Sequence, residues 1–193
     1  QMRVSKVFIK AIGGKYTIIK PNVPAPEYSF NPFALLEKSN DDNNRKFLTY
    51  WLSLLATADG EQLDENQYYL FSEAVKYISS LPIEQRSLRS VAMFLRQRGQ
   101  SDIAEKLSIW INTGKYGHIF DNQKDNMTLD ALVYGFGMSY VIEDKVGLGP
   151  ILAYLFHKIE CVLDGTPTII VLEEAWKLID NNVFAPRLEG WLN

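Results

Sequence analysis

Cysteine is nearly absent from this sequence. The 193 residues include one, Cys161, so no internal disulfide can form, and the composition fits a reducing compartment. Histidine is scarce too: His118 and His157 lie far apart with no companion ligands, which argues against a zinc-type site. No apolar run approaches the ~20 residues that a membrane span needs. The opening residues Val4-Ser5-Lys6-Val7-Phe8-Ile9 read as a strand rather than a secretory leader. Neither sign of charge dominates. The net charge is -3, which disfavours a polyanion-binding role. What is abundant is apolar surface: 47% of residues are hydrophobic, enough for one domain or one domain with an inserted subdomain.

A phosphate-binding loop of the form G-x-x-x-x-G-K-[ST] is also missing. Gly13-Gly14-Lys15 lacks its spacing and its hydroxyl, and reads as a hairpin turn. Gly147-Leu148-Gly149-Pro150 precedes a helical pattern, where an anion could bind, but reads more simply as a loop entering a helix. Asp121-Asn122-Gln123-Lys124-Asp125 has spaced acids without the glycine and terminal glutamate of a calcium loop, so it reads as a solvated turn.

The pattern along the chain runs strand, helix, then mixed. Residues 4–20 read as a β-hairpin, Val4–Ile12 and Lys15–Lys20 around Gly13-Gly14. A proline-rich connection leads to Phe30-Asn31-Pro32-Phe33. Helical periodicity then holds to about Asn112, with Asp64 and Ser87 as caps, Ser101 or Asp102 as a third, and Gly114 as a terminator. Trp51, Tyr68, Tyr69, Phe71, Phe94 and Trp110 fall in the helical stripes and are expected in the core. Beyond this block, His118–Phe120 and Thr128–Tyr134 read as strands, and Pro150 opens a helix that Gly165 closes. Thr168–Leu172 is a continuous apolar run, the pattern of a strand covered on both faces. The layout predicts an α/β core with an inserted helical subdomain: residues 1–33 and 114–193 in the core, 34–113 in the insertion. Both ends read as cut. The first residue is not methionine, and the closing helix begun at Pro186 runs out by Asn193.

The run Thr168–Leu172 is followed by Glu173 and Glu174. At the carboxyl end of such a strand, the first acid can hold a magnesium-bound water and the second can activate the attacking water. A core strand leading into a helix with acids in its first turn gives the same string.

The longer strings carry a resemblance. Thr168-Ile169-Ile170-Val171-Leu172-Glu173-Glu174-Ala175-Trp176-Lys177-Leu178-Ile179-Asp180 resembles the acidic-strand segment of the type IV secretion ATPases, the VirB-four and TraC-like family of conjugation motors. Ile12–Tyr16, Phe30–Phe33, Gly114–Gly117 with Phe120–Asn122, Tyr154–Ile159 before Leu163–Gly165, and Val183–Arg187 to Leu192 are similar to the same family, so the resemblance covers essentially the whole chain. It implies a partial RecA-like P-loop core with an inserted all-helical subdomain. It also implies a hexameric ATP- and magnesium-dependent motor, peripheral at the cytoplasmic face of the bacterial inner membrane, acting with other type IV secretion components in pilus assembly and export. Its phosphate loop would lie before Gln1 and its interface elements after Asn193. Glu173 takes the magnesium-water position, where the family usually has aspartate, and Glu174 the water-activating one. The extra methylene of Glu173 shifts the metal-water contact by about a bond length, and octahedral magnesium tolerates misplacement poorly, which implies weakened hydrolysis. The chain alone is expected to be inactive, with no tightly bound cofactor. In a degenerate copy the helical block, about Leu35 to Asn112, would serve as a docking module.

Overall fold

The computed structural model describes residues 2–21, 23, 28–37, 42–57, 63–173, 178, 183–186 and 190. In chain order the elements are α1 (Met2–Ala11), β1 (Lys15–Ile18), α2 (Asp42–Ala56), α3 (Glu65–Ser80), α4 (Leu88–Gln97), α5 (Ser101–Lys106), α6 (Gly117–Phe120), β2 (Tyr134–Gly137) and α7 (Leu148–Glu160). Short 3-10 turns at Pro32–Glu37, Ile83–Gln85 and Ser108–Trp110 join them. The contacts divide the chain into two compact units, Gln1–Ile19 with Leu129–Asn193, and Lys20–Thr128.

In the first unit β1 and β2 pair in parallel, Lys15 opposite Tyr134 through Ile18 opposite Gly137. The expected hairpin is absent because Val4–Ala11 is helical. Gly13 and Gly14 are the reason. Gly13 takes φ +80°, its N–H donates to Lys10 O at 3.1 Å, and the Gly14 N–H donates to Ile9 O at 2.8 Å. That pair of bonds is a helix-terminating Schellman cap, which uses the same glycines a hairpin turn would. Val4, Val7, Phe8 and Ile12 then share an exposed face at helical spacing.

The second strand also lies further on than Thr128–Tyr134. The N–H groups of Asp130 and Ala131 donate to the Tyr134 hydroxyl, folding that stretch into a bend, so pairing starts only at Tyr134. Gly135 suits this strand because a Cβ there would lie 2.4 Å from Ile9 Cδ1 and 2.5 Å from the Tyr16 ring. α7 starts at Leu148 with Pro150 in its first turn and ends at Glu160, before Gly165, whose φ of +89° belongs to the following turn.

The run Thr168–Leu172 forms no strand. It has no regular secondary structure, with Ile169 90% and Val171 77% exposed. A strand covered on both faces needs neighbours on its edges and layers above and below. Among the described residues the sheet has only β1 and β2, and each pairs with the other.

The second unit is helical. Asp64 caps α3 reciprocally: its carboxylate accepts from Gln67 N at 2.8 Å, and the Gln67 side chain accepts from Asp64 N at 3.0 Å. Ser87 caps α4 by accepting from Ser90 N. α5 starts at Ser101 with Gln100 at its cap position and no side-chain cap. Asn112, at φ +50°, takes the left-handed conformation expected of Gly114. Gly114 instead allows close backbone packing, since its Cβ would lie 2.4 Å from Ser108 O.

Trp51, Phe71, Phe94 and Trp110 are buried as expected, whereas Tyr68 and Tyr69 are exposed on the outer side of α3. The core centres on Phe120, whose ring lies 5.0 Å from Trp51 and 6.1 Å from Trp110. Phe120 belongs to a helical turn rather than a strand. Phe30-Asn31-Pro32-Phe33 is a packing element: both phenylalanines are buried, Phe30 N donates to Ile119 O, and the buried Asn31 amide donates to Arg86 O and Gln123 O at 3.3 Å.

Candidate functional site

Glu173 sits in an exposed turn of the first unit. Its two carboxylate oxygens accept from Ser5 Oγ on α1 at 3.1 and 3.3 Å. The Tyr16 phenol on β1 is pushed above its usual pKa, first by burial and then by the negative charge of Glu173. Glu174 lies outside the described residues, so the geometry of the acid pair is known at one member only. Among the described residues no three His, Cys, Asp or Glu side chains converge to hold a metal ion. None of the described helices is long and apolar enough to cross a membrane.

Neither glycine-rich candidate is built for phosphate. Gly13-Gly14 is occupied as a helix cap. Lys15 Nζ is bound to Asp130 Oδ1 at 2.6 Å, and Asp130 also accepts from the Tyr134 hydroxyl. The Asp130 carboxyl is held well below the usual carboxylate range, first by Lys15 and then by Tyr134. The Lys15 ammonium is correspondingly raised, chiefly by the same bond. At the start of α7, Asp144 Oδ1 accepts from Gly147 N at 3.2 Å and Val146 N at 3.3 Å. An anion at that helix end would meet a carboxylate already in place.

The second unit holds a cleft of about 360 Å³ between the end of α3 and the start of α4. Tyr77, Leu81 and Met93 line its apolar side, with Arg86, Arg89 and Asn122 among the polar lining. Arg89 Nε donates to Asp121 Oδ2 at 3.1 Å, with the Arg89 side chain 51% exposed and the Asp121 side chain 2%. Asp121 Oδ2 also accepts from Asn112 N at 2.9 Å, while Oδ1 has no hydrogen-bond partner. Asp121 is therefore not part of a solvated turn. Asn122 is also structural: its amide donates to Phe30 O, His118 O and Ile119 O. The signal available in the sequence was the series Arg86, Arg89, Arg96 and Arg98, with no acid between them.

Comparison with known proteins supplies the context for these features. No family model matches the chain. It is 31% identical over 180 residues to the type IV secretion system protein virB4 of Bartonella quintana (strain Toulouse), a match covering 93% of this chain and 22% of that protein. It is 28% identical over 193 residues to virB4 of Brucella suis biovar 1, covering 94% of this chain and 22% of that protein. It is 28% identical over 169 residues to the conjugal transfer protein TrbE of Rhizobium radiobacter, covering 85% of this chain and 19% of that protein. The chain thus spans about a fifth of the length of these curated relatives. Over that span, the chain belongs to the VirB4/TrbE family of type IV secretion and conjugal transfer proteins.

Proposed function

We propose that this chain is the central segment of a magnesium-dependent ATP-hydrolysing motor that energises type IV secretion, with Glu173 and Glu174 as its acidic half-site. The observation that carries the reading is the acid pair at the end of an apolar run, in a chain of the VirB4/TrbE family. Glu174 would orient and deprotonate the attacking water, and Glu173 would help to hold the magnesium ion through water. The run Thr168–Leu172 becomes a strand when further strands of the whole protein pair with it, covering the exposed Ile169 and Val171.

The donor set fits magnesium through water rather than directly. Among the described residues no three-residue cluster forms a protein cage. Glu173, exposed and accepting from the Ser5 hydroxyl, would hold such an ion through water. Bound magnesium would offset charge developing on the phosphates. A G-x-x-x-x-G-K-[ST] loop elsewhere in the protein is required, because none lies in these 193 residues. In this reading the motor works as a hexamer, peripheral to the bacterial inner membrane, with other secretion components as partners and pilus assembly and export as its task. Residues 34–113 form a helical insertion in a RecA-like core.

The test is ATP turnover of the full-length protein with and without a magnesium chelator. Magnesium-dependent hydrolysis is expected, together with no turnover and no micromolar magnesium-ATP binding by the 193-residue chain in calorimetry. A full-length protein with no phosphate loop and no turnover would end the motor reading.

A further inference from the structure

The cleft of the second unit combines fixed positive charge with a fixed apolar wall. The Arg86 guanidinium donates to Leu81 O at 2.9 Å, Leu36 O at 3.0 Å and Ser79 O at 3.1 Å. All three acceptors are carbonyls, two of them at the C-terminal end of α3, and no carboxylate pairs with Arg86 among the described residues. Arg89 is anchored through Nε by the buried Asp121, which pre-orients the rest of a half-exposed guanidinium. Beside these charges, the Tyr77 ring is stacked on Phe94 with centroids 5.1 Å apart, and Met93 is 57% exposed. α4 carries no acid in its sequence, in a chain whose net charge is -3.

We propose that this cleft docks an acidic peptide segment of a protein partner. A carboxylate of the segment pairs with Arg86 and Arg89, and a neighbouring apolar side chain packs against Tyr77, Leu81 and Met93. Charge complementarity selects an acidic occupant, and the aromatic and methionine wall selects a peptide over a bare anion. Glu84 also lines the cleft, so two arginines face one acid there. The assignment gives the helical unit a docking role that is independent of ATP hydrolysis, so it stands or falls separately from the motor reading.

The test is fluorescence polarisation of the 193-residue chain with a labelled Glu-Glu-Leu-Phe-Glu-Glu peptide. A Lys-Lys-Leu-Phe-Lys-Lys peptide and a short single-stranded DNA serve as competitors of other chemistry. Saturable, salt-sensitive binding of the acidic peptide alone is expected, weakened about tenfold or more by Arg89→Glu and by Met93→Glu. Arg89→Glu places a second acid beside Asp121 and risks unfolding, whereas Met93→Glu changes an exposed side chain and keeps the test decisive. No acidic-peptide binding up to millimolar concentration, unchanged affinity in Met93→Glu, or tighter binding of the DNA would each overturn the proposal.

Discussion

Arg89 and Asp121 form an ion pair in which the carboxylate is buried and the guanidinium is half in solvent. The two sides of the pair are therefore unequal. Removing the arginine strands a buried charge, while neutralising the acid keeps an acceptor for Asn112 N. Arg89→Ala is expected to destabilise the chain by about 1–3 kcal/mol, and Asp121→Asn by less than about 1 kcal/mol. Urea denaturation of both variants checks the order. A larger loss in Asp121→Asn would mean that the carboxylate charge itself holds the Asn112 turn.

Asp64 and Gln67 cap α3 reciprocally, and Asp64 is exposed, so its replacement tests the cap rather than core packing. Asp64→Ala should cost about 0.5–2 kcal/mol, and Asp64→Ser should recover most of that. Equal losses for alanine and serine in thermal or urea unfolding would show that the cap contributes little.

The Lys15–Asp130–Tyr134 cluster sits where β1 and β2 begin to pair. The folded-state pKa of Asp130 is depressed, so its contribution is present above the ordinary aspartate value of about 3.9 and is lost as pH falls through the depressed value. That of Lys15 is raised, so its contribution is present below about pH 10.4 and is lost as pH rises through the raised value. Both groups face solvent, so the effect is small and salt-screened. The difference in thermal midpoint between the parent chain and Asp130→Asn should be flat from about pH 5 to 9 and shrink at acid pH. A difference that varies through neutral pH would point to another titrating group.

Local signals are readable in the sequence where a single reading fits them. Asp64 and Ser87 precede apolar periodicity with nothing competing for the cap, and Trp51, Phe71 and Trp110 lie on stripes that only a helical core satisfies. Gly13-Gly14 is ambiguous because a hairpin turn and a Schellman cap both require left-handed glycine. The arm before it, Val4 to Ile12, contains both alternating and helical spacings. Tyr68 and Tyr69 depart from expectation because they precede the buried stripe of α3, which is Phe71, Ala74, Val75 and Ile78. The pairing of Arg89 with Asp121 depends on how α4 packs near the turn after α6, a tertiary relationship with no local signature. Glu173 and Glu174 stand out in the sequence as two acids ending an apolar run, a string that a core strand entering a helix also gives. The run before them, Thr168–Leu172, forms no strand among the described residues, because the periodicity of a strand does not supply the neighbours it must pair with.

The most direct measurement is ATP turnover beside ATP binding in the full-length protein carrying Glu174→Gln. If Glu174 activates the attacking water, turnover falls by about 100-fold or more while ATP affinity is retained, because a positioned general base contributes rate rather than binding. Near-normal turnover in Glu174→Gln would contradict the assignment of Glu173 and Glu174 as the acidic half-site.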